Sequence, residues 1–446
     1  MELSGTASDG WCGVAGAETT PSRASSMRLA YFINLFPNLI ETMIYREVQA
    51  LAVLGYEIHT FSIRRPEPSS IPAEARGLGE RTHYLLPVSF SRVLIRHLSA
   101  LLRYRLRYGR ILVEVLHGTH ESWRDRIRTA CHFAEAVTVL PDVEALRPDH
   151  IHAHWAVGAT TCAMVVSRFL GIPFSFTAHA YDIWRERLLL PEKLAAASRT
   201  ITCTAYNRSH LIECYGAAPG RVRVVHHGLS LERFSPPARR VNTEPIILSV
   251  GRLVEQKGFD RLLRVCAALR EQGHAFRCEI AGDGPLQAEL EHLAGRLGLE
   301  RQVAFLGRLH QEQLIERYAA ADIFALLCVP ASDDDRDGIP NTLIEAMAME
   351  LPCVSTRFSG VPELVVDQET GLLVEVDDER AAVNALAAVL SDPGRRQRMG
   401  QAGRLRVADG FTIQASAANV ADVFRDILAA GIGPSVSAHD RGLSDG

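Results

Sequence analysis

The sequence predicts an α/β protein made of two doubly wound, Rossmann-like parallel-sheet domains facing a central cleft. Three observations predict it. Short apolar runs alternate with amphipathic segments along most of the chain, the pattern of parallel sheets covered on both faces. The alternation comes as two series, split by the Pro- and Arg-rich run Phe234-Ser235-Pro236-Pro237-Ala238-Arg239-Arg240, which has the composition of a linker. Finally, 446 residues, 47% of them hydrophobic, are enough for two cores.

Taken in order, residues 1–26 are rich in Gly, Ala, Ser and Thr, with no apolar core and no basic start. They are not a secretory signal; they read as a disordered tail, or Met27 is the true start. The first series has strands at 28–34, 57–63, 149–154, 173–178, 199–204 and 222–226, with helices at 39–54 and 158–170. The second has strands at 245–250, 276–281, 302–306, 322–327, 351–355 and 372–375, with helices at 258–272, 285–298, 310–320 and 340–349. This gives an N-terminal domain over 27–236, a linker over 237–244, a second domain over 245–410 and a frayed tail from 432 to 446. Sheets of this kind bind ligands beyond the carboxyl ends of their strands, so the chemistry belongs in the strand-to-helix turns.

Composition narrows the function. A net charge of −4 argues against nucleic acid as the partner of the whole molecule, and no run of 18 apolar residues is present. The nine cysteines are scattered without a C-x-x-C pair, which argues against a disulfide framework or structural zinc and fits buried core positions in a cytoplasmic protein. Residues 81–130 carry ten arginines against three acids, interleaved with Leu94, Ile95, Leu98, Leu101 and Leu102. That pattern suits an anionic membrane surface or a lipid-diphosphate substrate; equally, it suits a solvated helix whose apolar side packs inward.

Four turns could carry chemistry. Ser249-Val250-Gly251-Arg252-Leu253 follows a strand, and Lys257-Gly258 opens a helix five residues after Arg252. Two cations beside a Gly turn would hold a diphosphate, or are two solvated charges. Ala281-Gly282-Asp283-Gly284-Pro285 allows close backbone approach at Gly282, or is a plain turn; it lacks the dinucleotide glycine fingerprint, which disfavours a dehydrogenase. Asp337-Gly338-Ile339-Pro340 leads into a helix with Glu345 among apolar neighbours. Paired with Asp337 eight residues earlier, Glu345 reads as a hydroxyl acceptor rather than a salt-bridge partner. In the first half, His179 in Phe176-Thr177-Ala178-His179-Ala180-Tyr181-Asp182 ends a strand; it either contacts substrate or bonds within its loop. His152 and His154 alternate on a strand and read as packing or substrate-shaping groups. Phe36-Pro37-Asn38-Leu39-Ile40-Glu41-Thr42 reads as an acceptor or phosphate contact, and Asp333-Asp334-Asp335 as a solvated, mobile loop.

Together these residues resemble the retaining family 4 glycosyltransferases of GT-B architecture over roughly residues 28–430, most strongly in the second half. The family pattern of an acid, seven residues, then Glu with Ala-Met-Ala is met by Asp337 and Glu345; the usual first acid is Glu, so Asp337 is one methylene shorter. The resemblance implies that Arg252 and Lys257 hold the donor diphosphate and that Glu345 binds the ribose. It also implies that Asp337, Gly338, Ile339 and Pro340 hold the donor sugar, that His179 sits near the reacting sugar and that Glu363 belongs to the nucleotide site. It further implies a helix over 411–431 that crosses back to the first domain. The runs Phe-Pro-x-x-x-Glu-Thr and Phe-Thr-Ala-His-Ala-Tyr-Asp look most like bacterial exopolysaccharide and lipopolysaccharide enzymes such as those of colanic acid assembly. The expected activity is retaining transfer of a hexose from a UDP- or GDP-linked donor to a saccharide or lipid-linked acceptor, with no metal cofactor. A sugar-nucleotide epimerase, a phosphorylase or an inactive nucleotide- or carbohydrate-binding member are the alternatives.

Overall fold

The computed structural model describes residues 27–38, 41–236 and 242–431. The tail expectations for 1–26 and 432–446, the Leu39-Ile40 pair and residues 237–241 of the expected linker lie outside the described residues.

Among the described residues the strands form two all-parallel sheets. The first contains β1 (Arg28–Leu35), β2 (Glu57–Arg64), β3 (His83–Tyr84), β4 (His150–His154), β5 (Phe174–Ala178), β6 (Arg199–Thr202) and β7 (Val222–Val224), in the order β3-β2-β1-β4-β5-β6-β7. The second contains β8 (Ile246–Val250), β9 (Arg277–Ala281), β10 (Val303–Gly307), β11 (Ile323–Leu326), β12 (Cys353–Thr356) and β13 (Gly371–Val374), in the order β10-β9-β8-β11-β12-β13. In each sheet the order reverses beside the first strand, at β1/β4 and at β8/β11. Such switch points open the crevices in which doubly wound sheets bind ligands.

Burial explains why these segments are strands. Leu29 through Ile33 are fully buried, as are Ile247 and Leu248 and the whole of Ile323–Leu326. Central strands covered on both faces read as continuous apolar runs rather than alternating ones, and these are the runs that the sequence displays. Each sheet has its own core, and they meet no single shared centre.

The helix Ile413–Ala429 returns to the first sheet. Its buried Ala417, Val420, Ala421, Val423, Phe424 and Ile427 form one cluster with Leu29, Tyr31, Ile33, Ile44 and Tyr45. Phe424 meets Tyr31 edge-on, with ring centroids 6.3 Å apart. This late helix therefore covers one face of β1, the first described strand.

Three helices that the sequence reading left unassigned fill the span between β3 and β4: Phe90–Tyr104, Leu106–His117 and Trp123–Leu146. The inward-packing alternative for the arginine-rich stretch is overturned for its leucine face, because Leu94, Ile95, Leu98, Leu101 and Leu102 are all exposed. The expectation for cysteine is also corrected in part. Cys162, Cys203, Cys266, Cys278, Cys328 and Cys353 are buried, but Cys131 and Cys214 are exposed on helices. No described helix is long and apolar enough to cross a membrane.

Candidate active site

On the second sheet, the turns after β8 and β9 stack on each other. The Gly251 amide donates to Ala281 (3.0 Å) and the Leu253 amide to Asp283 (2.8 Å). Gly282 has φ +142°, and a Cβ there would lie 1.9 Å from the Gly251 carbonyl oxygen, so no side chain is admitted. Gly258 has φ +62°, with a Cβ position 1.9 Å from the Leu327 carbonyl oxygen. This glycine lets the chain turn sharply from Glu255–Lys257 into the helix Phe259–Glu271.

That turn delivers Lys257 to Asp337, with Nζ 3.0 Å from Oδ2. Burial alone would push the ammonium pKa down; the Asp337 carboxylate more than offsets this and holds it above the ordinary lysine value. Arg252 differs: it is exposed and has no ion-pair partner among the described residues. It lines a cavity of about 500 Å³ with Tyr181, Arg185, Gln256 and Asp335.

Pro340 caps the helix Asn341–Ala348. Lacking an N–H itself, it leaves Gly338 and Ile339 as the amide donors of that loop. Gly338 reaches the first domain, where a Cβ would stand 3.2 Å from Cys203 Sγ. Glu345 is half-buried in this helix and accepts from the Tyr318 hydroxyl at 2.9 Å. Burial pushes its carboxyl up to about 7, against the opposing pull of Tyr318 and of Arg46 from the first domain. The carboxylate opens onto a second cavity, about 580 Å³, whose walls include Tyr45, Arg46, Arg233, Arg308, His310 and Asn341. Arg252 and Glu345 thus line different cavities.

On the first sheet, His154, His179, Cys203 and His227 gather at the carboxyl ends of β4, β5, β6 and β7. The His179 ring lies 4.2 Å from that of Trp155 and 5.2 Å from that of His227. Its Nε2 is buried without a hydrogen-bond partner. Burial, and then His227 and His154, push its pKa well below the ordinary histidine value, so the ring is neutral at pH 7. The His179 amide donates to Asp182 Oδ1 at 2.7 Å, and the Ala156 amide donates to Oδ2 of the same carboxylate. Behind this loop the buried Lys193 donates to the Ala156, Val157 and Leu188 carbonyls. Ligand atoms of His179, Cys203 and His227 lie within 4.8 Å of one another. Through Cys203, the His179 end of the first sheet therefore abuts the Gly338 loop of the second.

Glu363 faces the first domain, on a short helix whose preceding Gly360 adjoins Ile339 of the Gly338 loop. Its two oxygens accept from the Ala205 (2.7 Å) and Tyr206 (3.0 Å) amides, and His226 Nε2 lies 3.2 Å away. His152 sits between the hydroxyls of Ser175 (2.8 Å) and Thr177 (3.1 Å), whereas His154 meets Glu47 at 3.0 Å. His152, His154 and Glu47 each bring a ligand atom within 4.8 Å of the others, a grouping hidden in sequence because Glu47 comes from the helix Thr42–Val53. The acidic loop is solvated at Asp333 and Asp334, as expected, and it also makes contacts: Arg185 pairs with Asp333 at 3.0 Å, and Gln256 donates to Asp335 at 2.8 Å. Arg336 bonds the Tyr206 hydroxyl at 2.6 Å and lies 4.1 Å above the Trp184 ring. Asn38 and Glu41 bond each other rather than pointing freely into a site.

Sequence reading missed Arg46, Tyr318 and His227, and gave Asp182 no role. Asp182 had a usable signal, an acid three residues past a strand-end histidine. Tyr318 had none, since a lone tyrosine in an amphipathic helix looks like core.

Two family models match end to end, "Glycosyltransferase Family 4" over residues 40–233 and "Glycosyl transferases group 1" over 232–406. The chain belongs to this glycosyltransferase family and is an enzyme of the glycosyl-transferring class. Among relatives, the colanic acid biosynthesis glycosyltransferase WcaL of Escherichia coli K12 is 29% identical over 381 residues, 81% of this chain and 90% of its own length. The amylovoran biosynthesis glycosyltransferase AmsK of Erwinia amylovora is 29% identical, covering 82% and 90%. The D-inositol 3-phosphate glycosyltransferase of Kribbella flavida is 31% identical over 66% of this chain and 75% of its own. Of solved structures, a Rickettsia africae glycosyltransferase superposes with TM-score 0.69 at 15% identity, covering 91% and 99%. Anabaena HepE in complex with UDP gives 0.66 at 15% identity, covering 90% and 100%. The architecture is GT-B.

Proposed function

We propose that this enzyme moves a hexose from a nucleoside diphosphate sugar to a hydroxyl of a saccharide or lipid-linked acceptor, with retention of anomeric configuration, during exopolysaccharide or lipopolysaccharide assembly. The observation that carries the reading is the Lys257–Asp337 ion pair, which joins the turn after β8 to the loop entering the Glu345 helix, with Arg252 exposed and free of an acidic partner among the described residues on the same turn. The half-buried Glu345 lines a cavity walled by both domains. A carboxylate accepts strong hydrogen bonds from ribose hydroxyls, which is the role given to Glu345. Arg252 and Lys257 would take the diphosphate, with Lys257 shared between phosphate and Asp337, since an ammonium has three donors. Asp337 with the Gly338 and Ile339 amides would hold the sugar, and Pro340 would set the loop. The relatives named for colanic acid and amylovoran biosynthesis support the polymer context, and the UDP complex of HepE makes UDP-sugars the first donors to try.

In this mechanism, charge building on the departing diphosphate is met by cations fixed beforehand, the role that a divalent metal has in other transferases. No side chain is assigned as a nucleophile; front-face attack with the leaving phosphate as base is the simplest route. Neutral His179, with Nε2 free, would bond a sugar or acceptor hydroxyl and fix its direction.

The test is nucleotide release from a panel of UDP- and GDP-sugars in chelator, with and without lipid extract, for wild type, Glu345→Ala and Lys257→Ala. Acceptor-dependent release of one nucleotide, lost in both variants, is the expected result, and NMR of the product reads the anomeric outcome. Nucleotide binding without release under any acceptor would mean a binding protein. No binding at all would overturn the site.

A further inference from the structure

We infer that the helix Phe90–Tyr104 is a docking surface for an anionic lipid bilayer. At 3.6 residues per turn its side chains fall into three sectors. Val93, His97, Ala100 and Tyr104 form the inward stripe; His97 bonds the Tyr108 hydroxyl at 2.7 Å and lies 3.3 Å from the Ala134 carbonyl. Next to it, Phe90, Leu94, Leu98 and Leu101, continued by Ile95 and Leu102, point outward; Phe90 is 81% and Leu102 76% exposed. The remaining sector holds Arg92, Arg96, Ser99 and Arg103. Leu106, 88% exposed, lies just beyond the helix end.

Six large apolar side chains on one sector of one helix are more than scattered surface hydrophobics. The charge around them selects the occupant. Arg96 and Arg103 are paired with Asp142 and Glu144 on the neighbouring helix, whereas Arg92 and Arg105 are exposed and have no ion-pair partner among the described residues. An apolar sector bordered by arginine fits acyl chains beneath anionic headgroups. A second copy of the chain would set arginine against arginine. The placement also matters. β3 ends at Tyr84, whose hydroxyl donates to the Phe36 carbonyl at the carboxyl end of β1 (3.3 Å), and the helix begins six residues later. Its Phe90 end therefore starts from the carboxyl edge of the first sheet, where a lipid-linked acceptor would enter. Only that last link rests on the proposed acceptor; bilayer binding does not.

The test is sedimentation of the full chain with phosphatidylglycerol vesicles and with phosphatidylcholine vesicles, at 0.15 and 0.5 M salt. Variants are Ile95→Gln/Leu98→Gln/Leu102→Gln together and, separately, Arg92→Glu. Wild type should bind the anionic vesicles at low salt and lose most binding at high salt. The triple variant should bind at least about 10-fold more weakly, and Arg92→Glu about 5-fold or more. All four positions are exposed, so Tm should hold. Should the triple variant unfold, amide exchange of wild type decides, because the 90–106 segment must gain protection on the anionic vesicles. Absence of vesicle binding by wild type, equal binding to both lipids, or a dimer that the triple change abolishes would each overturn the proposal. Because no donor sugar is present, this result stands apart from the fate of the transferase reading.

Discussion

Glu345 is the residue on which the nucleotide reading turns, and its chemistry predicts a pH signature. With its carboxyl pushed up to about 7 by burial, a growing fraction is protonated below neutrality and cannot accept from two ribose hydroxyls. Binding a nucleotide favours the ionised form, so affinity should rise with pH across about 6 to 8. Calorimetry of UDP and GDP at both ends of that range checks it. Glu345→Gln should weaken binding about 10-fold and flatten the pH dependence, and a variant that still titrates would place the group elsewhere. Lys257 gives a separate expectation. Lys257→Ala removes the cation and leaves Asp337 without the ion pair at 3.0 Å. Turnover should fall by about 10² to 10³, the scale of losing one preorganised charge at a leaving group, as read by kcat/KM with the identified donor.

At the scale of elements, the strand-end glycines are as demanding as the charges. Gly282→Ala forces a Cβ into the Gly251 carbonyl at 1.9 Å. It should cost about 1–3 kcal/mol in denaturant unfolding and displace the turn that carries Arg252. Phe424→Ala should cost about 3–5 kcal/mol, because Phe424 is fully buried against Tyr31 from the other end of the chain. Much of this level was legible in the sequence. The helix read at 158–170 is Gly158–Leu170, and the strands read at 57–63 and 276–281 are Glu57–Arg64 and Arg277–Ala281, since buried parallel strands and capped helices advertise themselves locally. What stayed hidden is long-range. Helix Trp123–Leu146 buries Thr129 and Thr138 along with its apolar residues, and no local period reveals a cover supplied from elsewhere. Of the pairs that build the site, Glu345 and His179 are legible in sequence, whereas Tyr318 shows no local sign and Asp182 only its spacing from His179.

For the whole molecule, the two halves are tied by few but specific contacts, and Glu363 is central to them. Burial would raise its pKa, yet His226 and the Ala205 and Tyr206 amides more than offset that and hold it below the ordinary glutamate value. A depressed folded pKa contributes stability that is present above about 4.5 and lost as pH falls through the folded value. Four histidines with lowered values act in the same direction from higher pH. His150 is pushed down to about 3 and His227 to about 4, with His152 and His179 also lowered, in each case chiefly by burial. The unfolded chain binds those protons near pH 6.5 and the folded chain does not. Stability is therefore full above about 6.5 and drains away as pH falls toward 4, only partly countered by Glu345 and Asp182, whose raised values favour the folded state at low pH. Thermal unfolding followed from pH 7.5 to 4.5 should show Tm falling steadily over that range. In Glu363→Gln the charge that holds the amides and His226 is gone at every pH. The variant should start with a lower Tm at pH 7.5, while its nucleotide affinity stays within about 2-fold of wild type. A large loss of nucleotide affinity with unchanged Tm would instead return Glu363 to the nucleotide site that the family resemblance implies.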